Sequence, residues 1–130
     1  MSRGGRSNGI CIGCREPFRG QPTINQVLAQ FVGFLGDPDS ILVAHNARFD
    51  LNFLAIAMAR LGLVCPPHHI FDTLALARAL LPGLPTYSLA DMGRTLGVAK
   101  GAPHRALGDA LLVKDVFLTL LRRSSQVIMV

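Results

Sequence analysis

Ile41-Leu42-Val43-Ala44-His45-Asn46-Ala47-Arg48-Phe49-Asp50 is the stretch from which the rest of the chain can be read. The apolar run 41–44 directly follows the turn residues Gly36-Asp37-Pro38-Asp39-Ser40. Such a run, short and without polar alternation, predicts a buried parallel strand. His45-Asn46 ends it, and residues 47–61 predict a helix. Phe49, Leu51, Phe53, Leu54, Ile56, Met58 and Leu61 make that helix apolar nearly all round, the pattern of a buried helix. Gly62 is a natural stop after it. A strand, a turn and a carboxylate in the first helical turn is how open α/β sheets place sites at the C-terminal ends of their strands. Asp50 would reach a cation there from a rigid support. It would equally complement the helix dipole with no ligand at all.

Working outward toward the N-terminus, Thr23 and Gln26 have capping-box spacing. Ile24, Val27, Leu28, Phe31 and Leu35 follow at helical intervals, so a helix precedes the strand. Residues 1–22 are rich in Gly, Arg, Ser and Pro and read as loop. Toward the C-terminus, Pro66-Pro67 breaks the chain, and His69-Ile70-Phe71 predicts a second short strand. Asp72 caps a helix through Leu81 that Pro82 ends. Ser88 caps another, with Leu89, Met92 and Leu96 inward and Gly97 at its end. A last helix is predicted over about 105–122, with Leu107, Ala110, Leu111, Val113, Phe117, Leu118 and Leu121 as its apolar face. This order of elements is α/β. Two short strands make a poor sheet by themselves, so a strand is expected to be missing beside 41–44. The domain is read as 20–123, with 1–19 unassigned and 124–130 a tail.

The chain has 130 residues, enough for one domain, and half of them are hydrophobic, which fits a packed core. Lys and Arg outnumber Asp and Glu by 13 to 8, a net charge of +5. That balance favours phosphate-bearing partners. No apolar run is long enough to span a membrane. The basic start MSRGGRSNG lacks the apolar stretch of a secretory signal. Three cysteines argue against a disulfide framework, and a cytoplasmic setting is expected.

A second constellation is His104-Arg105-Ala106-Leu107-Gly108-Asp109. His104 stands just before the last helix and can serve as a general base, because histidine titrates near neutrality. Asp109 falls at the edge of the helix's apolar face. A half-buried carboxylate wants a partner, and a cation would serve. Tyr87 is read as core, Asp72 as a cap and not a ligand, Asp115 as solvated, and Phe49 as packing.

ILVAHNARFD, then IFDTLALARALLP, YSLADMGRTLGV and HRALGDA together resemble the DEDDh, or DnaQ-like, 3′–5′ exonucleases, which include the epsilon proofreading subunits of bacterial DNA polymerase III. The resemblance covers about residues 20–122. It implies a ribonuclease H-like fold and hydrolysis of phosphodiesters from a 3′ end, single-stranded DNA first of all, with a DNA polymerase subunit as possible partner. It also implies two divalent cations, Mg²⁺ or Mn²⁺, that clamp the attacking and leaving oxygens. On this mapping Asp50 and Asp109 are metal ligands and His104 takes a proton from the attacking water. His45 and Asn46 receive no role.

The family also carries an Asp-x-Glu pair on a first strand ahead of these motifs. The only glutamate here is Glu16, with no Asp two residues before it. The fold is therefore expected to be N-terminally incomplete, lacking its first three strands, through a truncated, misread or decayed coding region. Very weak or no activity is expected, together with self-association through the open strand edge. Two other readings compete. Cys11-x₂-Cys14 and Cys65-x₂-His68 have the chemistry of a structural zinc site. Arg48, Arg60, Arg78, Arg94, Lys100, Arg105, Lys114, Arg122 and Arg123 would serve a non-catalytic remnant that binds nucleic acid or a polymerase.

Overall fold

The computed structural model describes residues 20–65, 67–99 and 106–127. In chain order these form α1 (Ile24–Phe34), β1 (Ile41–Ala44), α2 (Ala47–Arg60), β2 (His69–Asp72), α3 (Thr73–Leu80), α4 (Leu89–Thr95) and α5 (Ala106–Val127). The strands pair in parallel, Ile41 beside His69 and Ala44 beside Asp72. Parallel neighbours need a crossover, and α2 supplies it. Because the register is level, the chain leaves both strands at the same end. His45-Asn46 and Thr73 therefore emerge side by side.

Helix α2 packs across both strands, and α5 packs against β1. The rings of Phe71 and Phe117 join β2 to α5, 5.0 Å apart and tilted by 59°. The main core lies where α3, α4 and α5 meet, with Ala77, Met92, Val116 and Leu120 fully buried. Gly93 is part of this junction. A Cβ there would stand 3.0 Å from Leu112 Cδ1 and 3.3 Å from Ala99 Cβ, so only glycine lets α4 approach α5 without a shift.

The helix starts follow their capping residues. Gln26 Oε1 accepts from the Thr23 N–H at 2.7 Å. Asp72 accepts from the Leu74 N–H at 2.9 Å, and Ser88 Oγ from the Asp91 N–H at 3.2 Å. The hydroxyls of Ser88 and Thr86 and the guanidinium of Arg94 all donate to Asp91 and hold its carboxyl well below the usual range. A depressed folded-state pKa favours folding above the ordinary carboxyl pKa of about 3.9, and the contribution is lost as pH falls below it. Asp91→Asn is expected to lower the melting temperature slightly at neutral pH, where Asp91 is ionised, and to converge with the wild type as pH falls through the carboxyl range. Melts followed by helical circular dichroism from pH 7 downward check it.

Three expectations are corrected. Helix α2 is not buried: Phe49, Phe53 and Ile56 are 73%, 59% and 56% exposed, and only Ala47 and Met58 are enclosed. A two-stranded sheet covers too little of the helix surface to enclose an all-round apolar helix. Phe49 is accordingly not a packing residue among the described residues. Second, α5 buries Val116 and Leu120, with Leu112 half-buried against the same core; of the predicted stripe Val113 and Phe117 are half-buried, while Leu107 is 73% exposed and Ala110, Leu111, Leu118 and Leu121 are also exposed. The helix is apolar over so much of its circumference that spacing alone did not select the inward side. Third, α5 runs through 124–127, which the sequence reading assigned to a tail. Arg122, Arg123, Ser124, Ser125 and Gln126 include no breaker. The Ser124 and Ser125 hydroxyls bond to the carbonyls of Leu121 and Arg122 within the helix. Residues 1–19 and 128–130 lie outside the described residues.

Candidate functional site

The level strand ends bring two sequence motifs into one hydrogen-bonded unit. His45 leaves β1 half-buried, with Nε2 2.7 Å from the Tyr87 carbonyl oxygen and Nδ1 2.9 Å from Thr73 Oγ1. A carbonyl only accepts, so Nε2 carries a proton. The fully buried Thr73 hydroxyl also stands 3.2 Å from the Ala44 carbonyl. With the ring neutral, Thr73 donates to Nδ1. With the ring doubly protonated, Nδ1 donates to Thr73, which turns its proton to Ala44. In both states the two ring nitrogens are occupied inside the fold. His45 is thus a strut joining β1, α3 and the loop before α4, and it is not free to accept a proton from a reacting water.

Asn46 has φ 63° and ψ 53°, the one non-glycine residue in the left-handed region among the described residues. Its own side chain makes no capping bond. The capping comes from β2: Asp72 Oδ1 accepts from the Asn46 N–H at 2.9 Å and Oδ2 from the Ala47 N–H at 3.2 Å. One carboxylate therefore caps α2 and α3 together, satisfying N–H groups that a helix start leaves without intrahelical partners. Asp72 is a cap, as its position before α3 indicates. Its second helix was not visible in the sequence, because residues 46 and 72 meet only through strand register. Two four-residue strands, one followed by His45-Asn46 and the other ending in Asp72, were the available signal.

Asp50 lies in the first turn of α2 and is exposed; Asp109 lies in the first turn of α5 and is half-buried. These two carboxylates stand on the helices that pack against β1. Arg48 and Phe49 beside Asp50 are both exposed. His104 lies outside the described residues. Among the described residues, no group of three or more His, Cys, Asp or Glu side chains is placed to hold a metal ion. Two divalent cations need more hard oxygen ligands than two carboxylates supply, so the described residues do not fit a complete two-cation centre.

Of the alternative zinc ligands, Cys65 and His68 lie among the described residues. Cys65 is an exposed free thiol, and Cys11 and Cys14 lie outside the described residues. His68 is buried, with Nδ1 3.2 Å from the Ser40 carbonyl and Nε2 without a partner. Tyr87 is half-buried; its hydroxyl donates to the Leu81 carbonyl at 2.7 Å and its ring lies 5.8 Å from the Arg78 guanidinium carbon. It belongs to the core margin, as its place before the Ser88 cap predicts. Asp115 is half-buried and pairs with Lys114 at 3.3 Å.

The pattern of motifs and the interlocked strand ends agree with a family comparison. The exonuclease family model matches residues 15–117, from before α1 to within α5. The chain belongs to the exonuclease family. Within it, the chain is of the DnaQ-like 3′–5′ type. The chain is 44% identical over 105 residues to a DNA polymerase III PolC-type from Thermotoga maritima, covering 80% of this chain and 7% of that protein. It is 36% identical over 102 residues to the DNA polymerase III subunit epsilon of Aquifex aeolicus, covering 78% of this chain and 50% of that subunit. It is 34% identical over 84 residues to the 3′-5′ exonuclease DinG of Bacillus subtilis, 65% of this chain and 9% of that enzyme. The chain therefore spans half or less of each of these relatives. The exonuclease match takes in the His45–Asp50 turn, the Asp72-Thr73 pair and Asp109, and leaves Cys11 and Cys14 outside it. No helix among the described residues is long and apolar enough to cross a membrane.

Proposed function

We propose that residues 20–123 form part of a ribonuclease H-like 3′–5′ exonuclease domain acting on nucleic acid, with single-stranded DNA 3′ ends as first substrate. The observation that carries this reading is the interlock of the His45-Asn46 turn with Asp72-Thr73, which stations Asp50 at the C-terminal end of a parallel strand. Asp50 and Asp109 are the proposed metal-binding carboxylates. His104 is the proposed base that takes the proton of the attacking water. Mg²⁺ or Mn²⁺ would supply charge neutralisation only in a site completed by further carboxylates.

In the active form, on this proposal, the exposed α2 stripe and the open edge of β1 are covered by additional strands carrying the Asp-x-Glu pair. Without that cover the 130-residue chain hydrolyses DNA extremely slowly or not at all and self-associates through the same surface. The polymerase III names of the relatives make a polymerase a candidate partner, and the odd cysteine count fits a cytoplasmic setting.

Degradation of a 5′-labelled, 3′-tailed single-stranded DNA with Mn²⁺, by this chain and its Asp109→Ala variant, tests the reading. No stepwise shortening by either is expected. Shortening that Asp109→Ala abolishes would show that the site works without Asp-x-Glu, and the account of the missing ligands would fall. Shortening that survives Asp109→Ala would remove Asp109 from the site. The exposed Arg48 and Arg60 on α2 also favour a second reading, a non-catalytic nucleic-acid binder. Its signature is anisotropy-detected binding of the same DNA, without cleavage, that weakens steeply with salt.

A further inference from the structure

We infer that Asp72 is the positioning residue of the β1–α2 turn: one carboxylate, shared between two helix starts, sets where Asp50 stands. The inference rests on the reading of Asp50 as a site residue, but its structural claim is testable without any catalysis.

Three observations converge on it. Asn46 is held in the left-handed region, a conformation that side-chain-bearing residues adopt at a cost. Its own side chain does nothing to cap α2. The N–H groups of Asn46 and Ala47 instead end on the two oxygens of Asp72, at 2.9 and 3.2 Å, while Oδ1 also takes the Leu74 N–H at 2.9 Å. Asp72 is half-buried, and its charge-assisted bonds to Ala47 and Leu74 are part-buried, while the bond to Asn46 lies at the surface. It is also the β2 residue in register with Ala44, so the paired strands bring the carboxylate to the turn. Asp50 follows Ala47 by three residues, within the same first turn of helix. If the cap is released, that turn and the direction of Asp50 are released with it. An ordinary cap of α3 would need only the bond to Leu74. The two bonds to residues 46 and 47 are the part that an α3 cap does not explain.

The test is residue-resolved hydrogen exchange by mass spectrometry on the 130-residue chain, its Asp72→Asn and Asp72→Ala variants, and Met92→Ala as a general destabiliser remote from the turn. Asparagine keeps one acceptor oxygen and presents an NH₂ to the Ala47 N–H. Asp72→Asn is therefore expected to speed exchange at Ala47 about tenfold and to leave Leu74 within about twofold, since asparagine caps as well as aspartate. Asp72→Ala should release Asn46, Ala47 and Leu74 together. The rate of carbodiimide labelling at Asp50 should shift in Asp72→Asn and not in Met92→Ala, a difference that lost stability alone would not produce. If Asp72→Asn leaves Ala47 unchanged, or if the wild-type chain shows no protection there, Asp72 is only the cap of α3 and the inference is overturned. Should Asp72→Asn fail to fold, Asn46→Gly is added to it, because glycine adopts the left-handed turn without a clamp. Recovery of the fold supports the inference, and continued unfolding overturns it. The DNA-degradation outcome leaves these exchange rates untouched, so the two readings fail separately.

Discussion

Leu120→Ala is expected to remove more than half of the chain's stability and to lower its urea midpoint to match, whereas Leu121→Ala, one residue further along α5, leaves the midpoint nearly unchanged. Leu120 is fully enclosed among Ala77, Met92 and Val116, and Leu121 is exposed. Truncating an enclosed leucine removes its transfer free energy and leaves a cavity that a helical junction closes only in part, about 3 kcal/mol in total. A small domain has roughly 5 kcal/mol to lose, and a two-stranded sheet places this one at the low end. An exposed leucine carries well under about 1 kcal/mol. Urea titrations of both variants by circular dichroism decide the matter. Equal midpoints would mean that α5 presents the other side of its apolar surface to the core. The sequence-level stripe through Leu118 and Leu121 would then be the correct one.

The second large effect is on assembly. The wild-type chain is expected to elute as oligomers, and Phe53→Lys combined with Ile56→Lys to shift it to monomer at the same concentration. Phe53 and Ile56 form one exposed stripe on α2 with Phe49, and Ile41 on β1 is also 61% exposed. Among the described residues β1 pairs with β2 alone, and an apolar face beside such an open strand edge is a template for association. Burying a phenylalanine and an isoleucine in a contact stabilises it by roughly 1.5–3 kcal/mol each, so removing both weakens association by at least about 10²-fold. Size-exclusion chromatography with light scattering reads the result. A wild-type chain that runs as a clean monomer with a sharp cooperative melt would show that the face needs no cover, and the proposal of missing strands would lose its structural support. The substitutions avoid Asp50 and Asp109, so their effect on mass is separate from any effect on the site.

How far the sequence reaches differs from element to element. Strand β1, the helix starts at Thr23, Asp72 and Ser88, and the stop at Gly97 were legible because each depends on residues within a turn of one another. Apolar runs, capping oxygens and glycine's left-handed freedom act locally and leave local patterns. The carboxylates Asp50 and Asp109 were legible as candidates for the same reason, each standing at a helix start.

What was not legible depends on partners far apart in the chain. Which side of α5 turns inward is decided by where α3 and α4 press on it, and an amphipathic pattern too wide to choose cannot reveal that. Whether α2 is enclosed is decided by how many strands lie beneath it. The double role of Asp72 and the strut at His45 exist only because β1 and β2 pair level, which sets residues 45–47 beside 72 and 73. The sequence by itself determined the elements, their order and the family's chemical vocabulary. Only the tertiary structure decided which faces are buried and which groups share a hydrogen bond, because burial and hydrogen bonding are properties of neighbours in space, and local sequence carries no distance between residues 46 and 72.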